Sequence, residues 1–260
     1  MATLLCALCN TAMPTPALAN QPDTDIICGT AESERQDAAA DRPDISALHA
    51  IVVGKDGTVY YERAADEQVK IASITKVMTA IVALDNASLD TTVTVDHAAA
   101  TVGQSSADLK EGDTMTLETA LRALLIPSGN DAGMAIARSV GAIIDPSSDN
   151  PYGVFIDAMN KKAQELGMDS KFTNPHGLDF DGWEDDMHSS ARDVATMFSY
   201  AMSNDDFRAL TSSTDNVAHV TGADGTEREI TMIDYGFTND TEKFVTEIRI
   251  PCGRCARSKK

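Results

Sequence analysis

Apolar side chains recur at three- and four-residue spacing over residues 71–84, at Ile71, Ile74, Val77, Met78, Ile81 and Val82. That spacing predicts a helix with one face in a core. Residues 116–126 predict a second helix, with Thr116 as its cap and Glu118 in its first turn. Pro127-Ser-Gly-Asn130 breaks it, and residues 131–144 resume as an alanine-rich helix. Residues 154–166, closed by Gly167, and 189–202 predict two more. Leu48-His-Ala-Ile-Val-Val53 reads as a strand, joined through Gly54-Lys-Asp-Gly57 to Thr58-Val-Tyr-Tyr61 in a β-hairpin. Residues 91–95 predict a short strand, and residues 217–220 and 229–232 predict two more, joined by Gly222-Ala-Asp-Gly225. There is no internal repeat. Strands at both ends with helices between them predict an α+β fold: an antiparallel sheet flanked by helices, plus a helical lobe.

The chain divides further by composition. Residues 1–19 carry no charged side chain, hold an apolar run Leu4-Leu-Cys-Ala-Leu8, and end Ala17-Leu-Ala19. They are expected to be an export signal, which places the protein outside the cytoplasmic membrane, on the cell-wall or periplasmic side. Residues 20–46 are rich in Asp, Glu, Ala and Pro without a period and are expected to be a flexible acidic linker. Residues 47–248 form the expected domain, and residues 249–260 a basic tail with five Lys or Arg and no acid. No stretch reaches the length of an apolar membrane span. The net charge of −19, from 40 acidic and 21 basic residues, makes nucleic acid an unfavourable partner. Cys6 and Cys9 fall in the signal, leaving Cys28, Cys252 and Cys255. Cys252-Gly-Arg-Cys255 lacks the second ligand pair of a zinc site, so no metal and no cofactor is expected. A monomer is expected.

The candidate chemistry begins at Ser73-Ile-Thr-Lys76. Residues three apart share a helix face, so the lysine amine can reach the serine hydroxyl. A serine is a weak nucleophile at neutral pH and needs such a base to take its proton. Ser128-Gly-Asn130, in the break between two helices, can add a hydroxyl that relays a proton and an amide that grips a carbonyl. The same residues also suit an ordinary turn with Asn130 as a helix cap. Ser148-Asp-Asn150 is a competing match that reads as a loop before Pro151. His176 and His188 sit at element boundaries and read as packing or capping residues.

Ser73-x-x-Lys76 followed by Ser128-x-Asn130 resembles the active-site signature of penicillin-binding proteins and serine β-lactamases. The surrounding text, Lys70-Ile-Ala-Ser-Ile-Thr-Lys-Val-Met-Thr-Ala80, Leu124-Leu-Ile-Pro-Ser-Gly-Asn-Asp-Ala132, Thr173-Asn-Pro-His-Gly-Leu178 and His188-Ser-Ser-Ala-Arg-Asp-Val-Ala195, is similar to the low-molecular-mass D-alanyl-D-alanine carboxypeptidases. The resemblance runs over about residues 48–202. It implies that Ser73 attacks the carbonyl between the last two D-alanines of a peptidoglycan stem peptide, with Lys76 as base. It also implies that Ser128 relays the proton to the leaving D-alanine, that Asn130 binds the substrate amide, and that β-lactams acylate Ser73. The family's third motif, Lys-Thr-Gly, is not found. Val220-Thr-Gly222 lacks the cation, Asp234-Tyr-Gly236 has an acid in its place, and Lys243 is the nearest substitute. The family's C-terminal β-domain is not expected in this chain either. This departure supports two alternatives. One is a truncated or catalytically impaired module that binds cell-wall peptides. The other is a divergent enzyme with a different carboxylate anchor. A β-lactamase ranks behind both, because no deacylating glutamate stands in family context.

Overall fold

The element order in a computed structural model of the chain follows the polar and apolar pattern through most of residues 45–232. The structure describes residues 25–31, 34, 45–180, 182–183 and 185–232. The expected signal, Asp234-Tyr-Gly236, Lys243 and the basic tail lie outside them. The described residues fall into two compact units. The first comprises the residues up to Val69 together with Ser190–Ala195, and the second comprises Lys70–Ser189 and the residues from Thr196 onward.

The first unit is built on an antiparallel sheet of β1 (Ile26–Ile27), β2 (Thr30–Ala31), β3 (Ala50–Val53) and β4 (Val59–Arg63), in the order β2-β1-β4-β3. The β3–β4 pair is the expected hairpin, closed where the Gly54 N–H donates to the Thr58 carbonyl at 2.8 Å. β1 and β2 lie inside the stretch expected to be a flexible linker, so residues 25–31 correct that expectation: Ile26 pairs with Glu62 and Ile27 with Tyr61. Asp25 explains the difference. Its buried carboxylate accepts from Arg63 Nε at 2.7 Å, Arg63 Nη2 at 2.8 Å and the Tyr61 hydroxyl at 3.0 Å. A buried, doubly bonded ion pair fixes a strand that two residues could not hold by ladder bonds alone.

The second unit contains α1 (Thr75–Asn86), β5 (Thr92–Thr94), α2 (His97–Ala100), β6 (Thr114–Thr116), α3 (Leu117–Leu125), α4 (Asn130–Ile144) and α5 (Pro151–Glu165). It continues with α6 (Ala191–Ala201), whose first turn is grouped with the first unit, then α7 (Asp205–Ser212), β7 (Val217–Thr221) and β8 (Glu227–Thr231). α4 is its central helix. Ala132, Ala135, Ile136, Ala137 and Val140 are fully buried, as are Met78 and Ala80 of α1, Leu121 and Leu124 of α3, and Phe155 and Met159 of α5. Each large side chain so buried contributes about 1.5–3 kcal/mol. The small residues of α4 let its neighbours approach closely, which places the start of α4 beside α1.

Among the described residues β5, β6, β7 and β8 pair in that order as a second antiparallel sheet. β6 and α7 escape the pattern for the same reason: each offers too few apolar positions for a period. β6 has Met115 alone, and α7 anchors itself through Phe207 and Leu210 under an Asn204 cap. Thr116 caps α3 as expected, accepting from the Thr119 N–H at 3.2 Å.

Candidate active site

Residues 71–74 do not begin the α-helix that the periodicity predicts. Ala72–Ile74 form a 3₁₀ turn, and the α-helix starts at Thr75. Ala72 takes φ +46°, a left-handed conformation costly for an L-residue. The turn leaves Ser73 exposed, while Lys76, in the first turn of α1, is 2 % exposed. One side of the pair is thus open to solvent and the other is dry.

Three groups meet Lys76 Nζ. Ser73 Oγ lies 3.0 Å away, Asn130 Oδ1 2.8 Å and the His176 carbonyl 2.8 Å. Asn130 is placed by the start of α4, and its amide is oriented by Nδ2 donating to the Gly103 carbonyl at 3.1 Å. The His176 carbonyl is placed by a turn in which Asn174 Oδ1 accepts from the N–H groups of His176 (3.2 Å) and Gly177 (2.7 Å). Thr79 of α1 ties that turn down by donating to the Pro175 carbonyl at 2.6 Å. Burial lowers the Lys76 pKa to about 7, against the opposing pull of the Asp131 carboxylate.

The amine geometry has a chemical consequence. Neutral Lys76 has two N–H donors and one lone pair. The Asn130 and His176 oxygens can only accept, so they take the two N–H bonds. The lone pair is left facing Ser73 Oγ, which among these three partners alone carries a proton to give.

Ser128 sits in the turn between α3 and α4, half-buried, at φ +60°. A non-glycine residue held there stores strain of about 1–3 kcal/mol, and such strain clusters at functional sites. Its hydroxyl is not among the three partners of Lys76. The structure therefore brings Ser73, Lys76 and Asn130 into one hydrogen-bonded set and leaves Ser128 beside it in the adjoining turn. Ser148-Asp-Asn150 is in the loop that was expected: Asn150 caps α5, accepting from the Gly153 N–H at 3.1 Å. Asn150→Ala is expected to cost about 1 kcal/mol in urea denaturation and to leave reaction at Ser73 unchanged.

The sequence reading missed two contributors. His176 reads as a packing residue, and its ring is one, fully buried and edge-on to Trp183 at 4.5 Å. Its Nδ1 accepts from the Leu178 N–H at 3.2 Å, and burial first, then the Lys76 charge, holds its pKa down at about 3. Its main-chain carbonyl, which no side-chain pattern reveals, is what reaches Lys76. The second is Asp131, whose identity reads as helix N-terminal and whose partners come from a distant loop. His188 pairs through its backbone with Lys171 in an isolated bridge, away from this set. Val220-Thr-Gly222 is excluded as a substrate-binding edge, because Thr221 pairs on one side with Thr114 of β6 and on the other with Glu227 of β8. Among the described residues no group of three or more His, Cys, Asp or Glu could hold a metal ion, and no helix is long and apolar enough to cross a membrane.

The chain is similar to several D-alanyl-D-alanine carboxypeptidases. It is 36% identical over 159 residues to the D-alanyl-D-alanine carboxypeptidase DacF of Bacillus subtilis, covering 58% of this chain and 38% of that protein. It is 33% identical over 180 residues to the D-alanyl-D-alanine carboxypeptidase of a Streptomyces species, covering 66% of this chain and 60% of that one. The chain thus spans between about two fifths and three fifths of the length of these curated relatives. Among solved structures, a mutant of the Streptomyces K15 DD-transpeptidase superposes with a TM-score of 0.68 at 30% identity, over 75% of this chain and 76% of that one. A D-alanyl-D-alanine carboxypeptidase from Mycobacterium tuberculosis superposes with a TM-score of 0.61 at 32% identity, over 74% and 68%. The family model described as D-alanyl-D-alanine carboxypeptidase matches residues 36–240, most of the chain, and the chain belongs to that peptidase family.

Proposed function

We propose that this protein is a serine-type D-Ala-D-Ala carboxypeptidase that removes the terminal D-alanine of peptidoglycan stem peptides. The observation that carries the reading is the buried Lys76 amine, its pKa lowered to about 7 by burial, 3.0 Å from the exposed Ser73 hydroxyl. Lys76 Nζ takes the Ser73 proton as Oγ bonds to the carbonyl carbon between the two D-alanines. The tetrahedral oxyanion collapses, and the C–N bond breaks. The proton passes from Lys76 through Ser128 to the amine of the departing D-alanine. Water, deprotonated by the same lysine, then hydrolyses the ester and restores Ser73. Asn130 serves twice in this scheme, holding Lys76 through Oδ1 and facing the substrate amide. The N–H of Ser73, in the 3₁₀ turn that leads into α1, is one donor for the oxyanion. β-Lactams acylate the same hydroxyl. Action outside the cytoplasm is supported by the apolar 1–19 segment and by a disulfide-bonded Cys28, a bond that persists in oxidising compartments.

A fluorescent penicillin and a D-Ala-D-Ala-ending peptide test the proposal. Stable label on Ser73 together with D-alanine release is the expected result. Absence of label would overturn the enzyme reading in favour of a peptide-binding module, and rapid loss of label would indicate a β-lactamase.

A further inference from the structure

We infer that Asp131 is a positioning residue for the Lys76 base, acting by fastening the 103–109 segment onto Asn130. This rests on the function proposed above and adds a residue that the proposed chemistry does not use. Asp131 is 2 % exposed, and its carboxylate gathers one loop from several directions. It accepts from the Ser106 hydroxyl at 2.6 Å, from the Ala107 N–H at 2.9 and 3.0 Å, and from the Leu109 N–H at 3.1 Å, besides its own neighbour Ala132 N–H at 2.8 Å. The held loop grips Asn130 in return. The Ser105 carbonyl accepts from the Asn130 N–H at 2.8 Å, and the Gly103 carbonyl accepts from Asn130 Nδ2 at 3.1 Å.

The second of these bonds decides which end of the Asn130 amide faces Lys76. With Nδ2 committed to Gly103, Oδ1 is presented to Nζ. If the loop is released, the amide can rotate and offer an N–H to the amine. That would consume the lone pair meant for Ser73. The glycine between Ser128 and Asn130 belongs to the same device. A Cβ at Gly129 would stand 2.7 Å from Asp131 Oδ1, 2.7 Å from the Ala123 carbonyl oxygen and 3.1 Å from the Ala107 side chain. The carboxylate and the loop thus occupy the space that any larger residue would need. The charge matters as well as the hydrogen bonds. Lys76 is faced by Asp131 from α4 and by the neutral His176 from the 174–178 turn, and by the uncharged Ser73 and Ser128 from the two adjoining turns. Asp131 is therefore the charge that favours its ammonium form.

Three measurements on the full chain test the inference: the rate of penicillin acylation against pH, the Lys76 titration followed by ¹³Cε NMR, and amide exchange at Ala107 and Leu109. Asp131→Asn loses the second acceptor oxygen and the charge. It is expected to slow acylation by about 10-fold or more, since ångström-scale misplacement of a catalytic group has effects up to about 10²-fold. It is also expected to speed exchange at both amides and to lower the Lys76 midpoint by about half a unit or more. Loss of the charge by itself moves the midpoint, so faster exchange at both amides and slower acylation are the readouts of positioning. Ser106→Ala, at an exposed position, keeps the charge. It is expected to speed exchange and slow acylation by a few-fold with the midpoint unmoved, and it remains informative if Asp131→Asn does not fold. Wild-type exchange and wild-type acylation in either folded variant would overturn the inference. Titration and exchange need no turnover. A wild-type protein that takes no label would thus overturn the functional reading while these two still decide the role of Asp131.

Discussion

Lys76→Met is expected to slow acylation of Ser73 by about 10³–10⁴-fold, near the upper range for loss of a general base. Methionine fills the same dry volume but has no lone pair to accept the serine proton, so the hydroxyl keeps it. Ser73→Ala, at an exposed position, gives the zero of label against which the residual rate is measured. In the wild type, acylation is expected to rise with pH through about 7 as Lys76 loses its proton, and the variant is expected to show no such limb. Stability carries a matching signature. The Lys76 pKa is about 7 when folded against the ordinary lysine value of 10.5. Between these values the unfolded chain binds the extra proton, so stability rises with pH across that window. Below pH 7 both states are protonated and the full cost of burying the ammonium, on the order of a few kcal/mol, is present. Urea denaturation at pH 7 and pH 10 should show this gain in the wild type and lose it in Lys76→Met. At pH 7 the variant trades that cost for two acceptors left unpaired, Asn130 Oδ1 and the His176 carbonyl, at about 1–3 kcal/mol each. Its net stability change is therefore smaller than its kinetic one.

Gly177→Ala is expected to reduce acylation by about 10²-fold without any reacting group being altered. Gly177 has φ +89°, and a Cβ there would lie 1.9 Å from the Ala72 carbonyl oxygen and 2.9 Å from the Ser73 nitrogen. Both are backbone atoms, so no side-chain rotation relieves the clash. Either the Ala72–Ile74 turn moves, carrying Ser73, or the 174–178 turn moves, carrying the carbonyl that holds Lys76. Each displaces one partner of the pair by roughly the distance over which proton transfer fails. The conformational penalty adds about 1–2 kcal/mol of destabilisation. Measuring the acylation rate well below the midpoint of thermal unfolding separates misplacement from unfolding. A variant that acylates at the wild-type rate would show that Gly177 serves packing only.

The pair at Ser73 and Lys76 was legible because it is local. Spacing within a helical turn decides that the two side chains meet, and the 3₁₀ turn that replaced the first helical turn preserved that meeting. Asn130 was legible as a residue, through its resemblance and its place in a helix break, while the direction of its amide was not. That direction depends on the Gly103 carbonyl, 27 positions away along the chain. The strand at residues 26–27 was illegible for a related reason. Its composition is that of a linker, and a buried aspartate that meets Arg63, 38 residues on, helps to order it.

Most of the helices, the hairpins, the meeting of Ser73 with Lys76 and the family resemblance were legible in the chain alone. These follow from periodicity, turn chemistry and short-range spacing, which are properties of neighbouring residues. The tertiary structure alone decided that Lys76 is dry, that its lone pair faces Ser73, and that a histidine contributes its carbonyl and not its ring. Burial sets the proton affinity of an amine, and burial is the sum of contacts from α1, α4 and the 174–178 turn, segments that meet only in the folded chain.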